Sequence, residues 1–308
     1  MDSFNHYSVM LGECIDGLAI KPDGNYADLT AGGGGHSFEI AKRLGAGGHL
    51  YSFDTDERAI DACRERLASY SDRVSLIHAN FERIAEFLSG VPLDGVMCDL
   101  GVSSYQLDTP ERGFSYMHDA PLDMRMDTDA DFSAYDVVNG YDERRLAKVL
   151  TDWGEERFAG RIAYNICGQR GVKPIETTFE LNDIIRRSIP RRNQDGGHPS
   201  KRTFQAIRIE VNRELDVIEP TVRSAVSLLA PGGRMCVLTF HSLEDRIVKQ
   251  TFNSMINGCT CPHDFPVCVC GFRPTIKLIT RKPVTACESE LAENSRSHSA
   301  KLRIIEKL

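Results

Sequence analysis

Asn25-Tyr-Ala-Asp-Leu-Thr-Ala-Gly-Gly-Gly-Gly-His36 is the stretch whose reading decides the fold. Asn25 to Leu29 has the make-up of a short buried strand, and four glycines break it. Ser37 to Leu44 then sets Phe38, Ile40, Ala41 and Leu44 at helical spacing. A second apolar run, His49-Leu-Tyr-Ser-Phe53, ends in Asp54. Strand, glycine loop, helix, strand and terminal acid make the nucleotide-binding half of a doubly wound α/β domain. Glycine suits the turn because it tolerates positive φ and lets a ligand approach the backbone. A carboxylate ending the second strand can accept both hydroxyls of a ribose. A tight turn that serves packing alone would not need that acid, so the stretch predicts an adenosine-type cofactor site.

The identity of the cofactor follows from the loop's departures. The dinucleotide pattern G-x-G-x-x-G is not met, since alignment on Gly32 and Gly34 puts Ser37 at the third glycine. Asp28, just before the loop, would repel a pyrophosphate and attract a cation. S-adenosylmethionine, with its ammonium and sulfonium, fits that charge better than NAD.

With 308 residues, the chain holds one α/β domain plus an insertion or second small domain. Hydrophobic residues make up 41% and charged residues 26%, as in ordinary globular proteins. A net charge of −7 argues against a chain that coats nucleic acid non-specifically, while leaving room for a local basic surface. No apolar run reaches membrane-spanning length, and Met1-Asp-Ser-Phe-Asn-His-Tyr7 lacks the regions of a secretory signal. The ten cysteines are therefore expected to be reduced thiols or metal ligands, in a cytoplasmic protein without membrane partners.

Outward from the glycine loop, a leading helix is predicted over 9–18, a helix over 56–70 and a third strand over 74–78. Phe81 follows that strand, where it either stacks on an adenine ring or joins the core. The fourth strand, Leu93 to Leu100, is apolar enough to be buried on both faces and delivers Asp99 to the sheet's carboxyl edge. Ser103, Ser104 and Gln106 come next, placed for substrate contact or for capping the following helix. The next clear strand, Gly233 to Phe240, begins only after more than 120 residues, far beyond a simple crossover. That gap must hold an inserted subdomain, read as loop to about Asp131 and then helices near 142–150, 158–168 and 179–188. A longer helix over 204–229 is expected to break at Pro220. His241 and Ser242 follow the fifth strand, on the same edge as Asp99. Two further strands, near 275–280 and 301–306, complete a seven-stranded Rossmann-like sheet of the methyltransferase type. The division expected is a first sheet part over 1–107, a helical substrate-recognition insertion over 108–212 and a second sheet part over 213–308.

The insertion's strongest charge feature runs from Arg186 to Arg208, with seven basic residues among Gly, Pro and Phe204. In an acidic chain, such a run predicts contact with nucleic-acid phosphates. Cys259, Cys261, Cys268 and Cys270 form a second cluster, close enough in sequence for a structural tetrahedral zinc or for a hairpin of free thiols.

Taken together, the motifs resemble the ribosomal small-subunit RNA methyltransferase H family, also known as MraW, along almost the whole chain. The resemblance rests on Gly32 to Ser37, Asp99-Leu-Gly-Val-Ser-Ser104 with Gln106-Leu-Asp108, and Glu111-Arg-Gly-Phe-Ser-Tyr116. It continues through Pro121-Leu-Asp-Met-Arg-Met-Asp127, His198-Pro-Ser-Lys-Arg-Thr-Phe-Gln-Ala-Ile-Arg208, Phe240-His-Ser-Leu-Glu-Asp-Arg246 and Ser299-Ala-Lys-Leu-Arg303. It implies S-adenosylmethionine-dependent methylation of a cytosine N4 amine in 16S ribosomal RNA of the small subunit. It places cofactor contacts on Gly34, Gly35, His36, Asp54, Phe81, Asp99 and Gln106, gives the helical insertion a part in RNA recognition, and is compatible with a homodimer. Gly33 stands where relatives often carry a basic residue, Ser295 and His298 replace a usual proline and arginine, and some members lack the cysteine cluster. Amine methyltransferases commonly use an Asp/Asn/Ser-Pro-Pro-Tyr/Phe loop after the fourth strand. Here Asp99 to Ser104 stands in that place, so Ser103 and His241 are the candidates for lining the base pocket.

Overall fold

Alternation of short apolar strands with amphipathic helices dictates a sheet covered on both faces. The computed structural model describes residues 8–194, 197–261 and 269–308, apart from the side chains of Ser104, Tyr105 and Ser295. Helix α1 (Leu11–Leu18) leads into β1 (Asn25–Asp28), α2 (Gly35–Ala41), β2 (His49–Asp54), α3 (Glu57–Arg66), β3 (Val74–His78), α4 (Ile84–Phe87) and β4 (Leu93–Asp99). Helix α3 starts where Asp56 accepts a hydrogen bond from the Arg58 N–H, and Arg64 and Arg66 occupy its last turn. Gly95 in β4 lets the sheet close on a large side chain, since a Cβ there would lie 2.7 Å from the Tyr26 ring. Tyr26 itself is fully buried and accepts from the Lys21 N–H at 2.7 Å.

The chain divides into two compact units, Met1–Gly101 with Leu215–Leu308, and Val102–Glu214. The second is helical: α5 (Ser104–Asp108), α6 (Ala134–Gly140), α7 (Glu143–Asp152), α8 (Ala159–Arg170), α9 (Thr178–Ser188) and α10 (Lys201–Asn212). Its core gathers Val137, Leu146, Ile162, Leu181, Ile185 and Ile207, all buried. Each such side chain removed from water contributes roughly 1.5–3 kcal/mol. Helix α6 lies between the loop read to about Asp131 and the helix read near 142–150, where the sequence reading places no element. Its signal is present, since Asp136 accepts from the Ser133 N–H at 2.8 Å in a Ser-x-x-Asp capping box.

The first unit resumes with α11 (Ile218–Leu228), β5 (Leu229–Thr239), α12 (Ser242–Ile256), β6 (Ile276–Leu278), α13 (Glu288–Glu293) and β7 (Lys301–Lys307). The long helix expected over 204–229 does break, but at Arg213, not at Pro220. Arg213 takes a left-handed conformation (φ 51°) that ends α10. Pro220 sits in the first turn of α11, where the missing N–H had no intrahelical acceptor to lose. Strand β5 also begins at Leu229, earlier than Gly233, with a register irregularity against β4 between Leu93 and Gly95.

Among the described residues the sheet has seven strands in the order β3-β2-β1-β4-β5-β7-β6. Strands β1 to β5 pair in parallel, and β7 runs antiparallel between β5 and β6. This is the Rossmann-like, class I methyltransferase arrangement expected from the sequence. No helix among the described residues is long and apolar enough to cross a membrane.

Candidate active site

The strand order reverses between β1 and β4, and ligands of open α/β sheets bind beyond the carboxyl ends of such strands. Three carboxylates reach that edge: Asp28 from β1, Asp54 from β2 and Asp99 from β4. Asp28 is fully buried and holds the loop closed, accepting from the Thr30 N–H at 3.2 Å and the Ser37 hydroxyl at 2.6 Å. Its charge therefore acts on a ligand through the field and not by contact. Burial raises its pKa, opposed first by His36 and then by the Ser37 hydrogen bond.

Gly34 has φ 74°, a left-handed conformation natural to glycine, and starts α2. The Cys63 thiol donates to the Gly32 carbonyl at 3.4 Å, and Arg66 donates to the Gly33 carbonyl at 2.9 Å, so α3 fixes the loop from outside. The His36 ring is buried and lies 3.2 Å from the Val9 carbonyl through Nε2, which must carry the proton there. Its Nδ1 stands 3.7 Å from Asp99 Oδ2, beyond hydrogen-bond length. The ring thus packs under the loop, and burial lowers its pKa.

Asp99 is held by its backbone, whose N–H donates to the Thr30 hydroxyl at 2.6 Å. Its Oδ1 is buried without a hydrogen-bond partner among the described residues. Burial raises its pKa well above the carboxylate range, with Asp28 and Glu244 adding to the shift. A buried oxygen in that state lacks a donor, and a cationic donor would supply the largest gain. Phe81 opens the short turn after β3, half-buried, at the edge where β3 pairs with β2 through Asp54 and His78.

Asp54 accepts from the Gly32 N–H at 2.8 Å and the Asp56 N–H at 2.9 Å. Burial pushes its pKa up to about 6, against the pull of those two bonds. A raised acid favours the ligand-free fold most when protonated, so this contribution fades as pH rises from about 4 through 6. Ribose hydroxyls accepted by Asp54 would act the other way, because they would donate to the ionised form. Calorimetry should find cofactor affinity about tenfold weaker at pH 5 than at pH 7.5. The step near pH 6 should vanish in Asp54→Asn; a wild-type affinity flat across pH 6 would refute this role.

Ser103 and Gln106 belong to the helical unit and form a capping box at α5. The Gln106 N–H donates to Ser103 Oγ at 3.2 Å, and the Ser103 N–H donates to Gln106 Oε1 at 3.1 Å. His241 holds the matching position at α12, accepting from the Glu244 N–H at 3.4 Å, with Nε2 3.0 Å from Glu244 Oε1.

The seven cations of the 186–208 run do not share one role. Arg208 makes two 2.8 Å hydrogen bonds to Glu214, and Arg202 donates to the Glu155 carbonyl at 3.0 Å. Arg186, Arg191, Arg192 and Lys201 are exposed, with no carboxylate in ion-pair range among the described residues. The sequence reading gives Thr30 and Arg66 no role, because their partners Asp99 and Gly33 are distant in the chain, and takes Ser37 only as a departure from the glycine pattern.

Among the cysteines, the sulfurs of Cys259, Cys261 and Cys270 lie within 4.8 Å of one another, and Cys268 lies outside the described residues. Cys270 Sγ is 3.5 Å from Cys259 Sγ, and the Val269 N–H donates to Cys261 Sγ at 3.3 Å. Sulfurs around a tetrahedral zinc at about 2.3 Å stand at comparable separations, so the donor set fits that ion.

Residues 3–308 match a family model described as the MraW methylase family. The chain is 54% identical over 309 residues to a Clostridioides difficile (strain 630) protein named Ribosomal RNA small subunit methyltransferase H, covering 99% of both. A protein of the same name from Lachnospira eligens is 53% identical over 309 residues, covering 99% of this chain and 98% of that one. Another from Brevibacillus brevis is 53% identical over 312 residues, covering 99% of both.

Proposed function

The chain belongs to the MraW methylase family, and from that premise we propose that it methylates the N4 amine of a cytosine in 16S ribosomal RNA of the small subunit. The observation that carries the cofactor half of this reading is the acidic switch-point edge, where Asp99 Oδ1 is buried without a donor. An anionic pyrophosphate would face Asp54 and Asp99 at that edge with the field of Asp28 behind them, whereas a cationic amino-acid end satisfies Asp99. Bound S-adenosylmethionine supplies an electrophilic methyl group on a sulfonium. Gly34, Gly35, His36, Asp54, Phe81, Asp99 and Gln106 are the residues that would hold it.

Cytosine's exocyclic amine is a poor nucleophile because its lone pair is delocalised into the ring. The protein must therefore accept the amine's hydrogens, turn its lone pair toward the methyl group, hold the two in line and take up the proton that the methylated amine sheds. Such positioning provides most of the rate for an already activated donor. Ser103 and His241 are the side chains we assign to the target base, which must be unstacked to be reached. The insertion, taken as 108–212, would recognise the RNA. We place the protein in the cytoplasm and keep the homodimer within this reading.

Labelled methyl transfer tests the proposal, with small ribosomal subunits, free 16S RNA and DNA offered in parallel. Label should enter the RNA and not DNA, and single-turnover rates should drop in Ser103→Ala and His241→Ala. Transfer to DNA alone would overturn the substrate assignment; full rates in both variants would remove those two residues from the base pocket.

A structural zinc on Cys259, Cys261, Cys268 and Cys270 completes the reading. Protein purified without chelator should contain about one zinc per chain. Metal analysis that finds none would return the cluster to free thiols.

A further inference from the structure

The helical unit carries an aromatic group that cofactor binding and methyl transfer leave unused. Tyr116 stacks on His198 with ring centroids 4.1 Å apart and planes 10° from parallel. Phe204, buried in the unit's core, meets Tyr116 edge-on at 5.6 Å and braces it. The Ser200 N–H donates to His198 Nδ1 at 3.3 Å, which leaves the ring proton of the neutral form on Nε2. Burial, and then the charge of Arg186, lower the pKa of His198, so the ring is neutral at pH 7.

Four cations with no carboxylate in ion-pair range among the described residues flank this stack along the chain. Arg186 lies in the last turn of α9, Arg191 and Arg192 in the following 3-10 turn, and Lys201 at the start of α10. Gln194 ties the turn to α9, its amide donating to the carbonyls of Arg186 at 3.0 Å and Ile189 at 2.8 Å. The Lys201 N–H donates to the His198 carbonyl at 3.1 Å, which ties the start of α10 to the backbone of His198.

A partner that satisfies these groups needs both closely spaced anions and flat, neutral rings. Single-stranded nucleic acid offers both, since every unpaired base has a stacking face and every linkage a phosphate. An acidic peptide answers only the cations, and a duplex hides its base faces. We propose that Tyr116 and His198 form a stacking platform for one unpaired base of the RNA substrate, with Arg186, Arg191, Arg192 and Lys201 on the flanking phosphates. The proposal rests on the reading that the substrate is RNA and adds where on the insertion it is held.

Steady-state methylation of small ribosomal subunits tests it, with cofactor affinity and melting temperature measured on each variant. His198→Ala should raise KM for subunits about tenfold with cofactor affinity unchanged. His198→Phe, which keeps a stacking face, should stay within about twofold of the wild type. Arg191→Gln should reduce the salt dependence of KM by about one phosphate contact, which the two His198 variants leave alone. A wild-type KM in His198→Ala, or equal losses in the Ala and Phe variants at native melting temperature, would overturn the platform. Wild-type protein that methylates neither subunits nor free 16S RNA would overturn the RNA reading itself, a result visible without any variant.

Discussion

Asp99→Asn should weaken S-adenosylmethionine binding by about 10- to 100-fold while raising the melting temperature of the ligand-free protein. The first effect is the loss of a charge-assisted hydrogen bond to a cationic group, worth about 1.5–3 kcal/mol. The second follows from the same geometry without the ligand. Asp99 Oδ1 is buried without a partner, and burial, with Asp28 and Glu244 nearby, disfavours its charge. An amide keeps the shape and removes the charge, so relief on the order of 1 kcal/mol is expected, or a gain of about 2 °C for a chain of this size. The sign with pH is fixed by the raised pKa. A raised acid is most compatible with folding when protonated, so the wild type loses stability as pH rises above about 4, and the gap to Asn is wider at pH 9 than at pH 5. Calorimetric titration and thermal melts at those two pH values read both effects. A less stable Asn variant that binds cofactor normally would mean that Asp99 is a structural acid.

Gly34→Val should abolish most cofactor binding and lower the melting temperature as well. Gly34 has φ 74°, where a β-branched residue is strained by about 1–2 kcal/mol. An added Cβ would also stand 3.2 Å from Cys63 Sγ and 3.3 Å from Arg66 Cδ, the two side chains that fix the loop. The loop must move, and with it the Gly32 N–H that donates to Asp54. Gly160→Ala in α8 is the control, because its Cβ would meet nothing within 4 Å. It should change the melting temperature by no more than about 2 °C, consistent with the helix preference for alanine. Measured by calorimetry, at least a tenfold loss of affinity is expected for Gly34→Val and none for Gly160→Ala. Equal affinity in the two would refute the loop's role.

The nucleotide-binding half of the fold was legible because its signals are local: a strand, a left-handed glycine turn, a helix and Asp54 follow one another within thirty residues. Asp99 was legible as a strand terminus, but not as a buried oxygen without a donor, since that depends on Thr30 and on how β4 pairs with β1. Pro220 misled because a proline was read as a break when it sits in a helix's first turn. Helix α6 was passed over although Ser133 and Asp136 spell its cap, for the acidic stretch before it reads as loop. The basic run was legible as charge alone. Only tertiary structure divides it into Arg208 and Arg202, bound within the protein, Arg187, which pairs with Asp183 at 3.8 Å, and four cations that face no carboxylate among the described residues. The stack of His198 on Tyr116 joins two distant motifs, and no spacing in the sequence connects them.

A mass map of 16S ribosomal RNA from cells with and without this protein tests the central claim most directly. The account predicts one cytosine, and no other residue, that loses a methyl group from its N4 amine when the protein is absent and regains it when purified small subunits are treated with the protein and S-adenosylmethionine. An unchanged map, or a lost methyl group on a base carbon or a ribose, would contradict it.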